Sequence, residues 1–539
     1  MRPIVSRACP PLSLLLLLAT GCAVSPSDTG TAGAVGDPSE PTADGPGTTP
    51  STSSGPTASP VSDTADPMGT LDDTGVVDSG RPVDSADAVE SGTPVDSGTG
   101  GTPVGTYVPD DPSTLTAGLA WVRTNRPFIS GLAVRLGVPP TDEVDQYYDD
   151  FHGTAAHLWA MGLPEAIDGW GAAAHPDHRW LSWVTNAGRH AVSGWAVGDS
   201  PVAAGRIGYQ VGDEPRNTAD VDEMAVGVGL IRQHDPEALV VMNFGNSDGS
   251  VGNDELYAYA ADTLAPDVLS YSLYSGGHGE YERALLVRDV AMDRGLPYWR
   301  YLDSYASADG GHTLLPPDDL RWSAMLGLVY GYSGVSWFLY QTDAFTASEE
   351  VSTTLFPGTG WGLTPNEHFD AAAALNLELE TYLDTVAMLT STAVTYEPMS
   401  RWYMPDDHEP FTPGTGDDPF LQSLTNVGLS GVETQEWSVG LFHDDQGSRY
   451  LMVQNANHHT VSFPLYRPSG TFELSFDFAG APGFVDPSGL ERLDPHTGDI
   501  ERLPLTHEGG DAWSLQYTLD AGDVVLLKYV DGKPFARRP

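Results

Sequence analysis

From about residue 109 to about residue 390, short apolar runs alternate with longer amphipathic ones, and Gly or Pro punctuates most joins. The short runs predict strands at Phe128 to Val134, Ala155 to Ala160, Trp180 to Val184, Arg206 to Val211, Leu239 to Phe244, Val268 to Tyr274, Tyr298 to Leu302 and Val335 to Leu339. Helical patterns fall between them, clearest in Val221 to His234, Asp254 to Leu264, Tyr281 to Arg294 and Leu320 to Tyr330. A stretch from about Glu367 to Leu389 completes the series. Eight alternating units of this kind predict an α/β fold, a (β/α)8 barrel. A doubly wound sheet would alternate too, but no G-x-G-x-x-G follows the first strand. From Ser391 the period changes to two, with strands at Tyr450 to Gln454, Thr460 to Leu465, Thr471 to Phe476, Trp513 to Leu519 and Val524 to Tyr529. This predicts a C-terminal all-β sandwich over 391–539.

The first 108 residues follow neither period. Arg2 and Arg7 precede an apolar core, Leu12 to Leu18, which is too short to span a bilayer, and Ala19-Thr20-Gly21 leads to Cys22. Residues 1–22 resemble a bacterial lipoprotein signal, which implies lipidation at Cys22. That pattern prefers leucine where Ala19 stands. An ordinary cleaved secretory peptide is the alternative, and both predict export to the bacterial cell envelope, with the lipid anchor as the sole membrane contact. Residues 23–108 are Ser, Thr, Gly, Pro and Asp with scarcely an aromatic, a composition unable to bury enough apolar area to offset its ordering entropy. They predict a disordered acidic stalk. Its Asp-Ser-Gly and Asp-Thr-Gly triplets lack the alternating carboxylates and terminal glutamate of a calcium loop.

Charge and cysteine content narrow the chemistry. With 74 acidic against 25 basic residues, a formal net charge of −49 repels phosphate backbones, so nucleic acid is excluded as a partner. Both cysteines, Cys9 and Cys22, lie in the leader, leaving the predicted domains without thiol chemistry. Oligomeric state has no signature in the sequence.

Candidate chemistry begins at Arg206-Ile207-Gly208-Tyr209-Gln210-Val211-Gly212-Asp213-Glu214-Pro215, a strand ending in an acidic pair and a proline. Barrel enzymes carry catalytic groups at the carboxyl ends of strands. Alternation places Ile207, Tyr209 and Val211 on one face, and Gly208, Gln210, Gly212 and Glu214 on the other. Small and polar residues suit the barrel interior, so Glu214 is expected to point inward and Asp213 away. An ion-paired rim residue is the plainer reading of Glu214. Further strand ends supply a sugar-lining set: His157 and Trp159, Asn243, Tyr274, and Trp337, Tyr340 and Gln341, with Asp213 beside them. With 13 tryptophans in the chain, any single member could instead be core.

The stretch from about Asn125 to Asp343 resembles the clan of barrel glycoside hydrolases with an acid/base glutamate at the end of the fourth strand, nearest the β-galactosidase-like enzymes of family 42. Asp213-Glu214-Pro215 carries the likeness, together with Pro266 to Tyr274, Pro297-Tyr298-Trp299-Arg300-Tyr301, and Leu326 to Val335. The resemblance implies that Glu214 donates a proton to the glycosidic oxygen, with no metal or organic cofactor. Two positions depart from it. Asp213 stands where the clan has asparagine, and at the end of the seventh strand, where the clan has a nucleophilic glutamate, the chain offers only Asp303. A shorter carboxylate remains competent if the backbone compensates. A loop-capping aspartate is the alternative reading of Asp303.

Two competing motifs are set aside. Gly245-Asn246-Ser247-Asp248-Gly249 fits G-x-S-x-G, but Ser250 to Asn253 prolongs the loop where a serine hydrolase starts its helix. His175 and His178 lack metalloprotease spacing. The expected function is a glycoside hydrolase acting on an extracellular oligo- or polysaccharide, with a non-catalytic carbohydrate-binding or scaffold lipoprotein as the alternative.

Overall fold

The computed structural model describes residues 106–134, 141–159, 178–184, 205–274, 278–307, 312–342, 351–357, 362–397, 410–427, 436–458, 469–481, 483 and 485–539. The leader, the predicted stalk as far as residue 105, Cys22, His175 and the predicted strand Thr460 to Leu465 lie outside these residues, while Tyr107, at the end of the predicted stalk, is buried in the core.

After helix α1 (Ala117–Thr124), the chain forms barrel strands β1 (Phe128–Val134), β2 (Ala156–Trp159), β3 (Trp180–Val184), β4 (Arg206–Val211), β5 (Leu239–Phe244), β6 (Val268–Tyr271) and β7 (Tyr298–Asp303). A two-residue strand, β8 (Ala306–Ser307), precedes the last barrel strand, β9 (Gly334–Thr342), and pairs with β10 (Val351–Thr353). The barrel is closed and parallel in the order β1-β2-β3-β4-β5-β6-β7-β9. Between strands run α2 (Thr218–His234), α3 (Asn253–Leu264), α4 (His278–Met292) and α5 (Pro317–Tyr330), and α6 (Glu367–Val386) follows. Their starts follow the chemistry of the first turn: Asn217 and Asn366 accept from backbone N–H groups at the heads of α2 and α6, and Pro317 opens α5.

The barrel interior is layered. Phe128, Leu181, Ile207, Leu239, Val241, Val268 and Trp299 form an apolar floor at the amino-terminal end. Tyr209, Val211, Val240, Met242, Leu269 and Leu302 face the helices instead, as period two requires. Ile207 departs from the expected parity. One step on β3, Trp180 to Leu181, matches two on β4, Arg206 to Gly208, so the extra residue turns into the floor.

Beyond the barrel, a six-stranded sheet, β11-β13-β14-β20-β16-β17, faces a four-stranded one, β12-β15-β19-β18. These are β11 (Leu389–Glu397), β12 (Leu421–Asn426), β13 (Trp437–Asp444), β14 (Arg449–Asn455), β15 (Ser469–Asp477), β16 (Gly489–Leu493), β17 (Ile500–Pro504), β18 (Thr506–Gly509), β19 (Ala512–Asp520) and β20 (Val524–Tyr529). All pairings are antiparallel, and Trp437, Phe472, Leu474, Val453 and Leu527 fill the core between the sheets. The barrel packs directly on the larger sheet through α5. Gly440 approaches the Val329 carbonyl so closely that a Cβ there would lie 2.1 Å from it, and Trp322 stacks on His458 at 4.0 Å.

Behind β7, Arg300 and Glu280 of α4 form an ion pair of 2.5 Å, with side chains 0% and 1% exposed, and Arg300 also donates to the Ser323 carbonyl and hydroxyl. Removing one partner strands a charge where water cannot reach it. Arg300→Met is expected to lose about 3–5 kcal/mol of stability. The double variant Arg300→Met/Glu280→Leu should recover part of that loss, as measured by urea unfolding.

Candidate active site

Asp213 and Glu214 follow β4 at the carboxyl end of the barrel. Successive residues of a strand point to opposite faces, so one of the two should turn away. Both instead reach the mouth, because the backbone enters the left-handed region at Gly212 (φ 59°) and again at Glu214 (φ 41°). Asp213, expected to point outward, is therefore corrected: it is 8% exposed and accepts a 2.8 Å hydrogen bond from Asn243 Nδ2. Half-buried Glu214 is fixed from several sides. Its N–H donates to the Asn243 carbonyl at 3.0 Å, and the Ser272 hydroxyl donates to its Oε1. A Cβ at Gly245 would fall 2.6 Å from three Glu214 side-chain carbons, so only glycine fits beneath it.

Arg283 of α4 lies under this loop, donating to the Gly245 carbonyl at 2.5 Å and to Asn246 Oδ1. Burial brings its guanidinium down to about 10, with the negative charge of Glu214 opposing the fall, so it stays cationic at neutral pH.

Asp303 ends β7, three strands around the barrel from β4. It shares strand parity with Trp299 of the floor and Tyr301 of the interior, and is 2% exposed. Burial pushes its carboxyl up to about 6, while His312, with Nε2 2.8 Å from Asp303 Oδ2, pulls the other way.

Below the carboxylates the barrel waist is polar. The Tyr301 hydroxyl donates to Gln210 Oε1 at 2.7 Å and lies 3.2 Å from His157 Nδ1, which is 3.3 Å from Ser336 Oγ. Burial drives the His157 imidazole down to about 3, so it is neutral and structural in this network. Around the rim, Trp159 stacks on Trp183 at 4.3 Å and Tyr274 on Phe338 at 5.3 Å, with Tyr305 edge-on to both Tyr274 and Phe338.

Of the expected lining set, Trp159, Asn243, Tyr274 and Asp213 gather at the mouth, and His157 sits one layer below. Trp337 and Tyr340 do not belong there. Trp337 is fully buried on the helix side, donating to Asn376 of α6, and Tyr340 packs among Tyr147, Phe151 and Phe356. Trp337 lies in regular register opposite Gly131 and shares the helix-facing parity of Val335, whereas Tyr340 lies within a register break: from Gly131 to Ala133, β1 advances two residues while β9 advances four, Trp337 to Gln341. Phe338 and Leu339 take the mouth instead. Gln341 is buried at the end of β9, its backbone paired with Ala133. Sequence reasoning missed Ser272, Arg283, Trp183, Phe338 and His312. Ser272 shares parity with Ser270 and Trp183 with Leu181, so those two carried a signal. Among the described residues no three His, Cys, Asp or Glu side chains gather as a metal-holding group. Ser247 caps a turn, its N–H donating to Asn253 Oδ1 at 2.9 Å, and His178 stacks on Tyr148 at 3.7 Å.

No protein-family model matches the chain, and no curated protein does either. Among solved structures, a β-galactosidase from Bacillus circulans sp. alkalophilus matches 75% of this chain and 99% of its own, with 10% identity and a TM-score of 0.45. A glycoside hydrolase family 30 xylanase from Clostridium acetobutylicum matches 76% and 97%, at 9% identity and a TM-score of 0.37. A family 51 α-L-arabinofuranosidase from Bifidobacterium longum matches the same shares, at 11% and 0.36. An aldolase matches as well, covering 39% of this chain and 90% of its own at 10% identity and a TM-score of 0.28. Most of the neighbours named here are glycoside hydrolases, and at such identity they carry no reading of the chemistry.

A carboxyl group whose ionisation is held up by folding favours the native state while protonated. Asp303 therefore contributes most below pH 4, and that contribution is lost as pH rises through about 6. Asp303→Asn should remove this part of the pH dependence, so the wild type loses on the order of 2–3 kcal/mol more than the variant between pH 4 and 7. Denaturant titrations of both proteins across that range measure it.

Proposed function

We propose that the protein is an exported glycoside hydrolase, anchored through Cys22, that cleaves an extracellular oligo- or polysaccharide with Glu214 as general acid/base and Asp303 as the second carboxylate. The observation that carries this reading is the Glu214 carboxylate, held in a left-handed backbone conformation at the mouth of a closed barrel by Asn243, Ser272 and Gly245. Aromatic faces at the rim suit the apolar side of a pyranose, and Asp213 with Asn243 offers polar contacts to its hydroxyls. Protonated, Glu214 delivers its proton to the leaving oxygen. Ionised, Asp303 either attacks the anomeric carbon, which calls for about 5 Å between the two groups, or activates water across about 6.5 to 9.5 Å.

The deep placement of Asp303 favours a second reading, a sugar-binding barrel without turnover. Both readings place a saccharide at the same mouth and differ in whether a bond breaks.

Screening a glycan panel with the wild type and Glu214→Gln separates them. Hydrolysis that falls by 10²-fold or more in the variant, with the sugar still bound, supports the enzyme. Binding without turnover in both proteins supports the scaffold. On an active substrate, kcat/KM should rise with pH through an acid limb near pH 6 as Asp303 ionises, and the anomer formed first, read by proton NMR, assigns Asp303 as nucleophile or base.

A further inference from the structure

The loop after β7 is built around one side chain that the carboxylate chemistry above does not use. His312 places Nε2 2.8 Å from Asp303 Oδ2, and its ring stacks on Tyr305 at 4.4 Å and 23°. Its backbone is tied on both sides to Ser307: His312 N–H donates to Ser307 Oγ at 2.8 Å, and Ser307 N–H donates to the His312 carbonyl at 2.9 Å. Ser307 belongs to β8, which is itself held by β10, with Val351 paired to Ser307. A two-stranded ribbon outside the barrel sheet thus presses one imidazole against one interior carboxylate. Tyr305 adds its N–H to Asp303 Oδ1 at 3.4 Å.

We propose that His312 is the positioning residue of Asp303: clamped by Tyr305 and Ser307, its imidazole nitrogen lies against Oδ2 and is the side-chain partner beside which this carboxylate ionises inside the barrel. The charges around the pair leave this task to it. Glu280, from α4, acts on Asp303 with the wrong sign. Arg300, on the same strand, points behind the sheet into its own pair with Glu280. The carboxylates of Asp213 and Glu214 bear on Tyr301, the next interior residue down β7, and are likewise negative. His312 and the Tyr305 N–H are the groups that favour the charged form, and of the two only His312 is a side chain, 14% exposed against 1% for that of Asp303.

This assignment rests on the glycosidase reading for its role in turnover, but the electrostatic coupling is measurable without any substrate. The test is a carbon-13 NMR titration of the Asp303 carboxyl in the wild type, in His312→Phe, which keeps a ring on Tyr305 and removes the nitrogens, and in Ser307→Ala, which loosens the clamp. The Asp303 midpoint is expected to rise by at least one pH unit, tenfold in proton affinity, in His312→Phe and by a smaller amount in Ser307→Ala. An unmoved midpoint in a variant whose circular dichroism matches the wild type overturns the proposal. If His312→Phe does not fold, Ser307→Ala decides alone. On any glycan that the wild type cleaves, His312→Phe should carry the acid limb of kcat/KM upward by the same amount. A shifted carboxyl midpoint in a protein that cleaves no glycan would sink the glycosidase reading and leave the clamp standing.

Discussion

Closure of the parallel sheet is the constraint from which the rest of the molecule follows. Once β9 pairs with both β7 and β1, no strand edge is left and every interior side chain is committed to one axial cavity. The lower end of that cavity is sealed. Phe128 stacks on Trp299 at 4.1 Å, Trp121 of α1 meets Trp299 edge-on at 5.9 Å, and α1 lies so close that a Cβ on Gly118 would overlap the Asp267 carbonyl. Among the described residues that leaves the carboxyl end, where Asp213, Glu214, Asp303 and the aromatic rim are found, as the end of the barrel not closed by this packing.

The cavity changes character along its axis, and each layer supports the one above. The floor is apolar and needs no partners. The waist carries Ser130, His157, Gln210, Ser270, Tyr301 and Ser336, among which Gln210, His157 and Ser336 share the contacts that hold the Tyr301 hydroxyl. Burial raises the Tyr301 phenol well above its ordinary value, and Asp213 and Glu214 push it further, so it stays a neutral donor beneath two carboxylates. A polar waist is less stabilising than a packed apolar one. Its place directly below the acidic groups ties that cost to the site.

Most of the fold was legible because strand and helix periods differ so plainly here. Five of the eight barrel strands begin where the pattern predicts and end within one residue of it, including Phe128–Val134 and Arg206–Val211. The six sheet strands β11, β12, β13, β16, β17 and β18 were not anticipated. In β17 and β18 exposed residues dominate, which leaves little alternation to read. Glu214 could be found because a strand, an acidic residue and a proline fall together. Trp337 follows ordinary alternation to the helix side with Val335, and Tyr340 misled for a physical reason: parity holds only while paired strands advance in step, and β9 gains two residues on β1 just after Trp337. His312 had no signal at all, since its partner is nine residues away and is reached through a ribbon that forms only once the barrel has closed.

The same rule explains how β4 presents two carboxylates to one opening. In an extended strand Asp213 and Glu214 would be divided between the cavity and the helix layer, where a charge beside Met224 and Val221 would lack water and partners. Left-handed turns at Gly212 and Glu214 abolish that division. The first is cheap, since glycine populates this region freely. The second costs on the order of 1–3 kcal/mol for a residue with a Cβ, and it persists because the Asn243 carbonyl, the Ser272 hydroxyl and the bare face of Gly245 together leave Glu214 no other place. Local strain and long-range closure thus meet at one residue: the barrel provides rigid neighbours on β5 and β6, and those neighbours hold a backbone conformation that β4 alone would not keep.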